Sequence, residues 1–370
     1  MSVEPAQHLR TTQYYSEAHD MVMNELRKDY ILDRWVVIAS QRRRRPSDYI
    51  VEGIRYERGG GLCPFCPGNE HSTPPATLLY VIEDGVLKKA RDEDGDRRRD
   101  WIVRCIPNLY PAFTPPNPEQ ARPPWSESQH VSMGALGHHE VLIESPDHNE
   151  HPGSARISQL VHVINALRDR FSYFMGKNYV KYVSIFRNHG ASAGASLSHA
   201  HSQIIATPII PKTVGEEIAS SRRYYERKGR CVFCDIIDVE TRSERFIWEN
   251  GGFVVFAPWA PANPFEFWIF PKSHQPSILE LAEDEIRCLA EALRVSLGGL
   301  RSLLNDPPYN LGFHMIPKEH YHWHIEVYPK LAVWAGFEKS TGIYINTMPP
   351  EESAKDLREA FKKEESLVQA

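Results

Sequence analysis

The chain is 370 residues long, with 41% hydrophobic and 25% charged residues and a formal net charge of -5. That balance suits an ordinary globular protein with one large core or two smaller ones. No run approaches the roughly 18 consecutive apolar residues of a membrane span, the first residues are not leader-like, and the slight acidity argues against a general nucleic-acid coat. A cytoplasmic protein without membrane or nucleic-acid partners is therefore expected.

In chain order, residues 1–24 show neither helical nor strand period, which predicts a mobile N-terminal arm. Trp35–Ala39 opens the folded part as a β-rich run. Asp92–Asp100 is nearly all charge and reads as a loop or hairpin tip, and the proline-rich stretch Pro107–Pro124 as an irregular, extended connection. A strand over Glu140–Glu144 leads to a helix carrying Ile157, Leu160, Val161, Ile164, Leu167 and Phe171 at helical spacing, then to a strand over Tyr182–Phe186. The same succession returns as Phe265–Phe270, a helix carrying Ile286, Leu289, Leu293, Leu297, Leu300 and Leu304, and Leu311–Met315.

Polar residues sharpen the repeat. The first copy runs Cys63-x-x-Cys66, His148 after a strand, helix, strand, then His199-Ala200-His201-Ser202-Gln203. The second runs Cys231-x-x-Cys234, His274 after a strand, helix, strand, then His322-Trp323-His324-Ile325-Glu326. The expected architecture is α+β: two related halves, residues 25–212 and 213–370, whose mostly antiparallel strands join in one sheet with a covering helix from each half. No Gly-rich phosphate loop opens a helix after an early strand, so a doubly wound parallel sheet fits less well.

Zinc takes four thiolate or imidazole donors tetrahedrally, and a turn holding two sulfurs needs two more donors from elsewhere. Cys63, Cys66, His148 and His199 form one candidate site; Cys231, Cys234, His274 and His322 form the other. A closed shell of four protein donors leaves no place for water, which gives both metals a structural role. Cys105 and Cys288 read as buried small hydrophobes.

On a strand, residues two apart face the same way, so His199, His201 and Gln203 share a face. A His201 held beside a metal-bound neighbour is a pre-organised nucleophile: imidazole is largely neutral at pH 7, attacks phosphorus and leaves again. Gln203 can donate to a phosphate oxygen without adding negative charge. Just upstream, Asn188-His189-Gly190-Ala191-Ser192-Ala193-Gly194-Ala195-Ser196 is small and polar enough to let backbone N–H groups cradle a diphosphate.

These residues resemble the galactose-1-phosphate uridylyltransferases of the histidine-triad superfamily, over about residues 27 to 347. Gly190–Gln203 is similar to that family's active-site signature, Arg42 and Arg45 before Pro46 to its Arg-x-x-Arg-Pro, and Ser145-Pro146-Asp147-His148 to its zinc-histidine segment. The resemblance implies two histidine-triad-like halves. It also implies a ping-pong reaction in which His201 takes uridylyl from UDP-glucose and passes it to galactose 1-phosphate. Gln203 and Ser196 would support the transferred phosphate. Arg42, Arg45, Asn108 and Asn188 would contact nucleotide or phosphate, and Phe337 and Glu338 the hexose. Relatives with shared sites imply a homodimer. The second Cys-x-x-Cys and the run from Gly336-Phe337-Glu338 to Tyr344-Ile345-Asn346 look more like the plant ADP-glucose phosphorylase branch, which moves adenylyl to inorganic phosphate through the same histidine. Bacterial relatives bind a further metal near the positions of Glu217, His314, His324 and Glu326; the paired cysteines favour the cysteine site here. A zinc-stabilised nucleotide-binding protein without turnover is the remaining alternative.

Overall fold

The computed structural model describes residues 24–42, 45–49, 63–93, 95–117, 125–127, 129–317 and 320–369. The expected N-terminal arm, apart from Asn24, lies outside them. The chain opens with β1 (Glu25–Lys28) and β2 (Trp35–Ile38), followed by β3 (Leu78–Glu83), β4 (Val86–Ala90) and β5 (Trp101–Pro107). A small hairpin of β6 (Trp125–Glu127) and β7 (His130–Ser132) precedes β8 (His138–Ile143), helix α1 (Ile157–Met175), β9 (Tyr182–His189) and β10 (His201–Thr207). Helices α2 (Lys212–Lys228) and α3 (Val232–Glu240) lead to β11 (Phe246–Glu249), β12 (Phe253–Phe256), β13 (Phe267–Pro271), α4 (Glu283–Leu304), β14 (Tyr309–His314) and β15 (His324–Pro329). The described chain closes with α5 (Gly336–Thr341), β16 (Tyr344–Asn346) and α6 (Pro350–Gln369).

One 11-stranded sheet runs β11-β12-β13-β15-β14-β9-β10-β8-β5-β3-β4. All its pairings are antiparallel. The two copies of the repeat meet at its centre, where β9 pairs with β14 and Phe186 stands opposite Gly312. Those residues occupy matching places, because Phe186 also faces Gln203 on β10 and Gly312 faces Glu326 on β15. A pseudo-two-fold axis therefore passes between the central strands.

Both helices with a clear apolar stripe cover one face. Leu160, Ile164, Leu167 and Phe171 of α1 pack in one core with Ile286, Leu289, Leu297 and Leu300 of α4. Each such side chain contributes about 1.5–3 kcal/mol by leaving water. The opposite face is closed by smaller clusters, one around Phe65, Val141 and Ile143, the other around Phe233, Trp268 and Phe270. Separately, β1, β2 and β16 form a three-stranded sheet in which β16 runs parallel to β2.

Four expectations are corrected. Among the described residues a strand, β1, precedes the run at Trp35, because it pairs with β2 along its whole length. Helices α2, α3, α5 and α6 join the two expected ones. Cys231 and Cys234 sit at the N-terminus of α3 instead of in an isolated turn. His199 precedes β10, which starts at His201.

Helix α6 crosses α4 closely at Gly298 and Gly299. A Cβ on Gly299 would fall 2.4 Å from Phe361 Cδ1, and Phe361 is fully buried. Gly299→Ala should therefore destabilise the fold by about 1–3 kcal/mol, as overpacking typically does. Thermal melting should show a clear drop; an unchanged midpoint would mean that α6 yields without cost.

Candidate active site

The side chains of Cys63, Cys66, His148 and His199 converge, their donor atoms all within 4.8 Å of one another. Cys66 Sγ lies 3.4 Å from His148 Nδ1 and 3.6 Å from His199 Nδ1, and Cys63 Sγ lies 3.6 Å from His199 Nδ1. A tetrahedral zinc, with Zn–S about 2.3 Å and Zn–N about 2.0 Å, separates sulfur from nitrogen by about 3.5 Å. The outer nitrogens are already engaged: His199 Nε2 donates to Ser145 O at 2.8 Å, and His148 Nε2 lies 2.9 Å from Ser198 Oγ. Each ring thus turns Nδ1 inward, as a metal-bound histidine does. Burial and the adjacent Cys63 push the Cys66 thiol up to about 11, and a cation held there would favour its thiolate.

Cys231, Cys234, His274 and His322 repeat the arrangement. Cys234 Sγ lies 3.5 Å from Nδ1 of both His274 and His322, and His322 Nε2 donates to Pro271 O at 2.9 Å. A third set, Glu217, His314, His324 and Glu326, is also assembled beside it. Its members are hydrogen-bonded to one another: His314 Nδ1 meets Glu217 at 2.9 Å, and His324 Nε2 meets Glu326 at 3.2 Å. Burial opposes charge on His314, but Glu217 and Glu326 outweigh it and raise the ring to about 9.

Beyond the first cysteine set lies a cavity of about 320 Å³, bounded by Pro64, Phe65, Asn108, Ser196, His201 and Gln203 among others. His201 Nδ1 is 2.7 Å from His199 O. A carbonyl only accepts, so Nδ1 carries the hydrogen and Nε2 keeps a free lone pair. Burial lowers the pKa of His201, which keeps the ring neutral. Phe65, held between Cys63 and Cys66, meets the ring edge-on at 5.4 Å between centroids.

The placement of the other expected residues divides. Asn108, Ser196, His201 and Gln203 share the cavity. Asn188 lies on β9, two residues beyond Phe186, the partner of Gln203, and a Cβ added to Gly194 of the Gly-rich loop would fall 3.5 Å from its Nδ2. Arg42 and Arg45 follow β2 and are exposed; Phe337, 46% exposed, and Glu338, whose carboxylate accepts from Ala335 N at 2.9 Å, sit on α5. None of these four lines the cavity within one chain. Two residues that the sequence left unremarked do bear on it. Asn310 of β14 donates to Asn188 Oδ1 at 2.8 Å and to Ala193 O at 2.7 Å, and His139 of β8 lies 2.9 Å from Gln203 Oε1. Neither stands in a motif; only strand pairing reveals them.

A protein from Arabidopsis thaliana named ADP-glucose phosphorylase is 34% identical over 90% of this chain and 92% of its own length. The chain belongs to the galactose-1-phosphate uridylyltransferase family. A member of that name from Thermotoga maritima is 28% identical over 91% of this chain and 98% of its own. A family model described as a domain of unknown function (DUF4921) matches residues 150–367. Among solved structures, an ADP-glucose phosphorylase from A. thaliana with bound ADP-glucose superposes with a TM-score of 0.74 at 32% identity, covering 91% of this chain and 99% of that one. A uridylyltransferase structure gives 0.70 at 27% identity, covering 92% and 99%. Among the described residues, no helix of this family member is long and apolar enough to cross a membrane.

Proposed function

We propose that the protein is a nucleotidyltransferase in which His201 Nε2 attacks the α-phosphorus of a nucleotide sugar. The bond to the sugar phosphate breaks, and His201 carries the nucleoside monophosphate until a phosphate-bearing acceptor removes it. The supporting observation is the hydrogen bond from His201 Nδ1 to His199 O, which leaves the other nitrogen unprotonated toward the cavity. Gln203 would hold the transferred phosphate, assisted by Ser196 and Asn188, while Asn108 would meet the nucleotide. Arg42, Arg45, Phe337 and Glu338 would serve nucleotide and hexose from a second copy in a homodimer, which accounts for their distance from the cavity of their own chain.

Two donors share this chemistry. Uridylyl transfer from UDP-glucose to galactose 1-phosphate is supported by the signature over Gly190–Gln203 and by the Thermotoga relative's name. Adenylyl transfer from ADP-glucose is supported by the plant relative and by the fold shared with the ADP-glucose complex. Incubation with each donor labelled at the α-phosphorus, followed by an alkaline quench, separates them. The wild-type chain should retain label from one donor, and His201→Ala should retain none. Failure of both donors to label the protein would remove the covalent mechanism and favour nucleotide binding without turnover.

The two cysteine-histidine sets would each hold a zinc, Cys63, Cys66, His148 and His199 in one and Cys231, Cys234, His274 and His322 in the other. Zinc there would supply a fixed cross-link. Apparent binding to such sites is worth about 10–16 kcal/mol at pH 7, comparable with the roughly 5–15 kcal/mol that keeps a domain folded. Metal analysis should find two zinc ions per chain, and Cys66→Ser should leave one. Strong chelation should abolish the folded circular-dichroism signal along with activity. A chelated chain that keeps its melting transition but not its activity would assign the metal to catalysis instead.

A further inference from the structure

His139 occupies a junction that the proposed chemistry leaves unused. It lies on β8 two residues before Val141, the partner of Gln203 across the ladder, so His139 and Gln203 are diagonal neighbours on one face. Its backbone carbonyl accepts from Asn108 N at 2.8 Å. Ring Nδ1 accepts from Ala112 N at 3.2 Å, and ring Nε2 lies 2.9 Å from Gln203 Oε1.

These contacts fix the hydrogens. A backbone N–H can only donate, so Nδ1 must be the unprotonated nitrogen, and in a neutral ring the hydrogen falls on Nε2. That hydrogen points at Gln203 and requires the oxygen of the carboxamide to face His139. The amide of Asn108 is fixed likewise, since its Oδ1 accepts from Tyr110 N at 2.8 Å. Asn108 Nδ2, 3.1 Å from the same Nε2, therefore meets another donor and its hydrogens are left for another acceptor.

Resting on the nucleotidyl-transfer reading of this cavity, we propose that His139 is a positioning residue that locks the Gln203 carboxamide with its NH2 group toward the transferring phosphate. The physical need is plain. A carboxamide can rotate half a turn at little steric cost, and the flipped form would present an oxygen to the anionic phosphate, turning a donor into a repulsive dipole. Donors that require no reorientation during reaction are the ones that lower a barrier. Because the His139 carbonyl accepts from Asn108 N and its ring accepts from Ala112 N, one residue ties the cavity wall and the phosphate donor together.

The test uses the full-length chain and the nucleotide-sugar donor that labels the wild type. His139→Asn keeps an acceptor near Ala112 N but places no donor within reach of Gln203. We expect kcat to fall by about 10- to 100-fold with KM changed by less than about threefold, because the loss is made in the transition state. In the double variant with Gln203→Ala, the rate should equal that of Gln203→Ala alone, since residues acting through one another are not additive. His139→Gln, whose N–H reaches Gln203, should keep kcat within about threefold of wild type. A His139→Asn protein with full kcat, a double variant whose losses add, or a folded His139→Gln protein as slow as Gln203→Ala would each overturn the proposal. His201→Ala run alongside separates the two readings: label lost there with His139→Asn fully active sinks only the positioning role, whereas label retained by His201→Ala sinks the covalent mechanism beneath it.

Discussion

The site depends on His199 acting through both its side chain and its backbone. Its ring is fixed between the sulfurs of Cys63 and Cys66 on one side and Ser145 O on the other, while its own carbonyl accepts from His201. His201 is thereby oriented by a backbone dipole instead of a carboxylate, which would suit the proposed attack on an anionic phosphate: no negative side chain need stand behind the ring. The nearest buried carboxylate, Glu144, is neutralised by Arg187 at 2.5 Å and takes a hydrogen bond from Ser202 on the far face of the strand. Charge is kept close to the site yet balanced there by its own partner.

Duplication supplies the scaffold, and side-chain size decides how closely the second histidine of each triplet is covered. Phe65 and Phe233 occupy matching places between their cysteine pairs, and each ring lies against the second histidine of its triplet. Around His201 the β8 neighbours are Val141 and Ile143, whereas the register of β13 with β15 puts Trp268 and Phe270 in those places. Phe270 stacks on His324 at 4.6 Å, Trp268 closes in at 5.7 Å, and His324 is left 1% exposed. Glu326 stands where the first half has Gln203, so a phosphate there would meet a carboxylate. The second half has become a support, and through Asn310 it braces the Gly-rich loop of the first.

Much of this is legible in the sequence where the signal is local. The histidine triplets, the Cys-x-x-Cys pairs and the stripes of α1 and α4 have short, regular spacings, and their repetition in the same order announces two halves and a joined sheet. What stayed hidden is non-local or weakly apolar. β1 and β16 are four- and three-residue strands whose partners set their existence. α6 buries Ala354, Leu357, Ala360 and Phe361 against α4, a stripe too thin to stand out among its charges, and α2 buries only Val214, Glu217 and Ser221. His139 and Asn310 carry no motif because their roles arise only when β8 lies beside β10 and β14 beside β9.

The exposed residues that the family resemblance ties to nucleotide and hexose form a group of their own. β2, which leads into Arg42 and Arg45, pairs with β16, which follows Phe337 and Glu338 on α5, so the separate sheet holds all four in one body. That body is anchored from beneath: Asn346 donates to Pro261 O and Asn263 O at 3.0 and 3.1 Å. Phe337 is 46% exposed, and Arg42 and Arg45 are exposed as well, so the body turns these side chains to solvent. In the proposed reaction the division of labour would be spatial: the strand behind the first cysteine-histidine set would supply a rigid nucleophile, and the separate anchored sheet would present recognition groups to the cavity of a second copy.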